Sequence, residues 1–104
     1  MSSINSGSIL LAGAPNTLIT NISVAAPAVE VSHTLQNNVS VLEFKVREDD
    51  ISLQWCFDDG ETDTTFITLP PCSSQSFSGI KLVNKTIYFR SSAPCIIEII
   101  EFYS

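Results

Sequence analysis

The sequence predicts an all-β domain, a single antiparallel β-sandwich, and three observations carry that prediction. Apolar and polar residues alternate with period two through most of the chain, as half-buried antiparallel strands require. Turn-forming residues interrupt the alternation at short, regular intervals. No segment shows convincing helical periodicity. At 104 residues the chain has room for one domain with a modest core, and a jelly roll is one form such a sandwich takes.

Taken in order, the first 29 residues contain no Asp, Glu, Lys or Arg. Ser, Ala, Asn, Gly and Pro are interleaved there with Ile, Leu and Val, whereas disordered tails carry charge and avoid β-branched residues. Two readings stand side by side: an arm that orders against a neighbour, or a first β-hairpin. Residues 1–16 are set apart as the N-terminal arm, and 17–104 as the sandwich domain. In "AVEVSHTLQ", Val29, Val31, His33 and Leu35 share one face. "SVLEFKVR" sets Leu42, Phe44 and Val46 against Glu43, Lys45 and Arg47, and "ISLQWCF" sets Ile51, Leu53, Trp55 and Phe57 against Ser52, Gln54 and Cys56. "DDGETD" supplies an Asp-Gly turn before "TFITL", and the prolines of "LPPCSS" break the chain because neither can donate to a ladder. Shorter strands are expected near Gln75–Phe77, Ile80–Leu82 and Thr86–Arg90, giving roughly eight or nine in all. The last, Cys95–Tyr103, is apolar on both sides: Ile97 and Ile99 face one way, Ile96, Ile100 and Phe102 the other.

Charged residues make up 15% of the chain, below the roughly 25% of an ordinary soluble protein. Part of the surface is therefore expected to meet protein rather than water. A net charge of −6, with five scattered basic residues, argues against nucleic acid. No apolar run approaches the ~20 residues of a membrane span, and the N-terminus lacks the basic region of a signal peptide. Cys56, Cys72 and Cys95 have no zinc-type spacing and read as free thiols in a reducing compartment.

Chemistry finds little support. "REDD" (residues 47–50) and "DDGETD" (58–63) hold seven of the eleven carboxylates, but the strand between them spans about 23 Å at ~3.3 Å per residue. They cannot share one calcium ion, so no metal or cofactor is expected. His33, the single histidine, lies on an apolar strand face with no nucleophile motif nearby and reads as a satisfied core or interface residue. Trp55 has core spacing, while Tyr88 alternates with Thr86 and Arg90 and is the better surface aromatic for a glycan-binding reading.

The stretch from Val39 to Tyr103, with "REDDISLQWCF", "ITLPPCSS", "KTIYFRSSA" and "IIEIIE", resembles small β-sandwich virion proteins of tailed bacteriophages. The loop "LPPCSSQSF" departs from the glycine-rich segment usual in that group. The resemblance implies a non-enzymatic head-decoration (cement) or head-fibre protein, made in the host bacterial cytoplasm and located in the virion. It also implies a homo-oligomer, a trimer favoured, docking on the major capsid protein or another virion protein. A receptor- or glycan-binding fibre module and a head–tail accessory protein are the alternatives. Contacts are expected from Ile4, Ile9, Leu10 and Leu11 in the arm, from Ile96, Ile100 and Phe102 on the last strand, and from Tyr88 and Arg90 beside them.

Overall fold

The computed structural model describes residues 16–79 and 81–104. They form eight strands: β1 (Asn16–Val24), β2 (Val31–Thr34), β3 (Val39–Val46), β4 (Leu53–Cys56), β5 (Ile67–Leu69), β6 (Ser74–Phe77), β7 (Thr86–Ser91) and β8 (Cys95–Tyr103). One four-stranded sheet runs β1-β8-β3-β6 and the other β2-β7-β4-β5, with antiparallel pairing throughout. β1 thus pairs with β8, β2 with β7, β3 with β6 and β4 with β5. That nesting is one long hairpin folded over on itself, which is the jelly-roll form of the sandwich.

The period-two pattern dictates what lies between the sheets. Leu42 and Phe44 from β3, Ile97 and Ile99 from β8, Leu53 and Trp55 from β4, and Ile87 and Phe89 from β7 are all buried there. Phe44 sits at the centre, edge-on to Trp55 at 5.4 Å and to Phe89 at 5.2 Å between ring centroids. Trp55 in turn meets Phe57 and Phe77 at 5.6 and 5.5 Å, so the aromatic cluster ties β3, β4, β6 and β7 together. Such edge-to-face pairs contribute roughly 0.5–1.5 kcal/mol each beyond area burial. Tight turns fall where short polar residues tolerate left-handed backbone: Asn38 (φ 58) precedes β3 and Asn84 (φ 54) precedes β7.

Several expectations change. Val29 is 49% exposed and lies before β2 rather than on its inner face, because the strand begins only at Val31. No strand forms around Leu82, which makes a single bridge to Val39; Ile80 lies outside the described residues. Asn16 already belongs to β1, and Ile4, Ile9, Leu10 and Leu11 lie outside the described residues. Tyr88 and Arg90 do not stand beside Ile96, Ile100 and Phe102. The short Ser92–Ala93–Pro94 connection carries the chain from one sheet to the other, so β7 and β8 are not hairpin partners.

Candidate functional site

β8 is an inner strand of its sheet, flanked by β1 and β3, and its two faces have different fates. Ile97, Ile99 and Glu101 point inward and are buried. On the outer face, register places Thr17, Phe102 and Val41 in one row and Ile19, Ile100, Glu43 and Ser76 in the next. Asn21, Glu98, Lys45 and Ser74 form a third row, and Ser23 with Ile96 a fourth. Ile96, Ile100 and Phe102 are half-buried in the single chain, and none is buried. Ile19 beside them is 66% exposed, the most open of the large apolar side chains among the described residues. A shallow groove of about 280 Å³ runs over this face, lined among others by Ile19, Ile100, Glu43, Lys45 and Glu98.

Charge on the face is arranged around the apolar residues. Glu98 accepts from Arg47 Nε at 2.8 Å and lies 3.6 Å from Lys45 Nζ, its cross-strand partner. The Arg47 hydrogen bond holds the Glu98 carboxyl below its ordinary value. Glu43 accepts from Ser76 Oγ at 3.1 Å. Both signs of charge therefore border one apolar strip.

The second carboxylate of β8 has a different role. Glu101 is fully buried, and Glu101 Oε2 lies 2.7 Å from Nε2 of His33 on β2, in the opposite sheet. Its Oε1 accepts from Gln36 N at 2.7 Å. His33 thus forms a cross-sheet strut, and Arg90 partners neither Glu98 nor Glu101. Arg90 instead donates from Nη1 to Ala28 O at 2.6 Å and from Nε to Thr62 Oγ1 at 3.2 Å. Thr62 Oγ1 donates onward to Glu30 Oε1 at 2.6 Å, and Glu30 also accepts from Gly60 N and Thr62 N. That clamp buries Thr62 and folds the acidic "DDGETD" loop back toward β7, making it a docked segment rather than a tight hairpin turn. The Thr62 hydroxyl is the main reason that the Glu30 carboxyl is held below its ordinary value.

Tyr88 is half-buried on the outer face of the second sheet, where its row holds Ser32 and Cys56. Burial pushes the Cys56 and Cys95 thiols up, and Cys72 is the exposed cysteine. Among the described residues no three His, Cys, Asp or Glu side chains converge as a metal ion would require.

No protein-family model and no curated protein matches the chain. A solved structure does: the cupin_2 domain of an XRE-family transcriptional regulator from Enterobacter cloacae is similar over 85% of this chain and 82% of that one. The TM-score is 0.56 and the identity 21%, a likeness of fold. This match overturns the resemblance to bacteriophage virion proteins, since the architecture belongs equally to a regulator's domain and no phage protein is matched. The capsid-decoration role, its fibre and head–tail alternatives and the virion location are withdrawn with it. The cause is physical: "KTIYFRSSA" encodes a strand and the turn after it, which any jelly roll needs whatever it does.

Proposed function

We propose that this chain is a non-catalytic β-sandwich module that associates with a second copy of itself through the outer face of the β1-β8-β3-β6 sheet. The observation that carries the reading is the exposed Ile19, set among the half-buried Ile96, Ile100, Phe102 and Val41 on one flat surface. Charge complementarity favours a second copy as the occupant. Glu43 and Glu98 share the face with Lys45 and Arg47, so a two-fold axis through the strip can set acid against base on both sides. The four strands, of nine, nine, eight and four residues, spaced about 4.8 Å apart with a rise of ~3.3 Å per residue, offer roughly 500 Å² of face per partner. A total of roughly 1,000 Å² is at the lower bound for a specific interface, which fits a weak, transient dimer, taken as about micromolar, rather than an obligate one.

The non-catalytic part of the reading is supported by how the reactive groups are engaged. The one imidazole is held by Glu101 between the sheets, and the Cys56 and Cys95 thiols are buried.

Sedimentation velocity from about 1 µM to about 1 mM tests the proposal. The wild-type weight-average mass should rise toward twice the chain mass, and Ile19→Lys with Ile100→Lys should hold it at monomer. A wild type that stays monomeric throughout, or a double variant that dimerises equally well, sinks the reading.

A further inference from the structure

The connection between β4 and β5 runs from Phe57 to Phe66, far longer than a tight hairpin needs. Its middle is drawn away by the Glu30 clamp on Gly60 and Thr62. A cleft of about 340 Å³ lies where the two ends of the loop meet the strands, walled by Trp55, Phe57, Phe66 and Ile67 with Asp58 at its margin. This volume is at the lower end of small-molecule sites. Its wall is mostly apolar, and two of its members are open to solvent: Phe66 is 37% and Ile67 55% exposed.

Trp55, which lines the cleft, carries a polar group. The residue is only 4% exposed, and among the described residues its Nε1 is a buried side-chain nitrogen with no hydrogen-bond partner. A buried donor left unmade is costly, and native proteins seldom keep one without a use. The chemistry of a matching ligand follows. An indole N–H needs an acceptor, which an ammonium group lacks. Asp58 at the margin, with Asp59, Glu61 and Asp63 following in the loop, opposes an anion. Room for roughly ten non-hydrogen atoms, at about 30 Å³ each, limits the size.

We infer that this cleft binds a small, neutral, largely apolar molecule whose carbonyl or hydroxyl oxygen accepts a hydrogen bond from Trp55 Nε1. Nε1 itself is buried, so an acceptor reaches it only as a neighbouring side chain turns aside; Phe66 and Ile67 line the same cleft and are open to solvent. The site is independent of the self-association face, since it lies on the β4–β5 side of the other sheet.

Trp55 is the single tryptophan, so its indole proton gives one resonance that reports directly on the site. The test is an NMR titration with cyclohexanone and with methylenecyclohexane, the same shape without the acceptor. Cyclohexanone should shift the indole proton downfield in a saturable way, together with signals of Phe66 and Ile67. The hydrocarbon should bind about tenfold more weakly and leave the indole proton without a downfield shift. Trp55→Phe should keep the hydrocarbon affinity and lose the preference for the ketone. Ile67→Glu, at an exposed position and checked by circular dichroism, should block both probes. The inference is overturned if neither probe gives a saturable shift in the cleft, if the ketone binds no better than the hydrocarbon, or if Ile67→Glu leaves binding intact.

Discussion

Replacing His33 by Leu removes one side of the strut between the two sheets and leaves the fully buried Glu101 carboxyl with Gln36 N as its remaining partner. Breaking a buried pair in this way costs about 3–5 kcal/mol, because a polar group loses its partner without regaining water. The His33 side chain is 12% exposed, so some water reaches the vacated end, and the lower figure of about 3 kcal/mol applies. In a domain of this size that lowers Tm by about 12–24 °C, at roughly 4–8 °C per kcal/mol. Urea unfolding followed by Trp55 fluorescence, with calorimetry beside it, measures the loss. The informative comparison is the double variant His33→Leu/Glu101→Leu, in which the unpartnered carboxyl is gone and only the Gln36 N–H is left over. It should be less destabilised than His33→Leu alone. Glu101→Gln should cost less still: its amide oxygen accepts from Gln36 N, and its amide nitrogen donates to His33 Nε2 in the other tautomer. A His33→Leu loss below about 1 kcal/mol, or a double variant destabilised by the sum of the two single changes, would refute the reasoning.

The Glu30 clamp predicts a pH dependence with a definite sign. Its carboxyl is held below the ordinary value of 4.5, so the stabilisation is complete above that value and is lost as pH falls through the lower folded one. The difference in urea midpoint between wild type and Glu30→Gln should therefore shrink on acidification to about pH 3, and hydrogen exchange at Gly60 and Thr62 should quicken in the variant at neutral pH. Alkylation of the native protein should label Cys72 alone, with Cys56 and Cys95 reacting only on unfolding, because both are buried with thiol values pushed up. Phe44→Ala, at the centre of the aromatic cluster, should cost about 3–5 kcal/mol in urea unfolding. Ile67→Ala at the exposed sheet margin should stay within about 0.5 kcal/mol.

Strands were legible in the sequence because a half-buried strand writes its period into the residue order. The bounds of β8, Cys95–Tyr103, follow from the apolar run that begins after Pro94, and β7, read from its alternation, differs by one residue at its end. Alternation identifies faces but not partners. β7 and β8 look like a hairpin, yet Ser92–Ala93–Pro94 crosses between sheets, so Arg90 donates to Ala28 and Thr62 rather than to the carboxylates of β8. The true partner of Glu101 lies 68 residues away. A signal for it existed: His33 sits between Val31 and Leu35, and Glu101 follows Ile97 and Ile99, so each is a polar residue on an inward face. Two such residues each need a partner, and each can be the other's. Nothing local marks the length of the β4–β5 loop or its capture by Glu30, since the contact joins residues some thirty positions apart through backbone amides. The two-sided character of β8 is visible in the sequence, whereas the open Ile19 beside it depends on the pairing of β1 with β8.

Self-association through that face is tested most directly by isotope-filtered NMR on a mixture of labelled and unlabelled chains at about 1 mM, well above a micromolar dissociation constant. The account predicts intermolecular contacts linking Ile19, Ile100 and Phe102 of one copy to the same residues of the other. Intermolecular contacts from Ser32, Tyr88 and Gln54 on the opposite sheet, or none at that concentration, would contradict it.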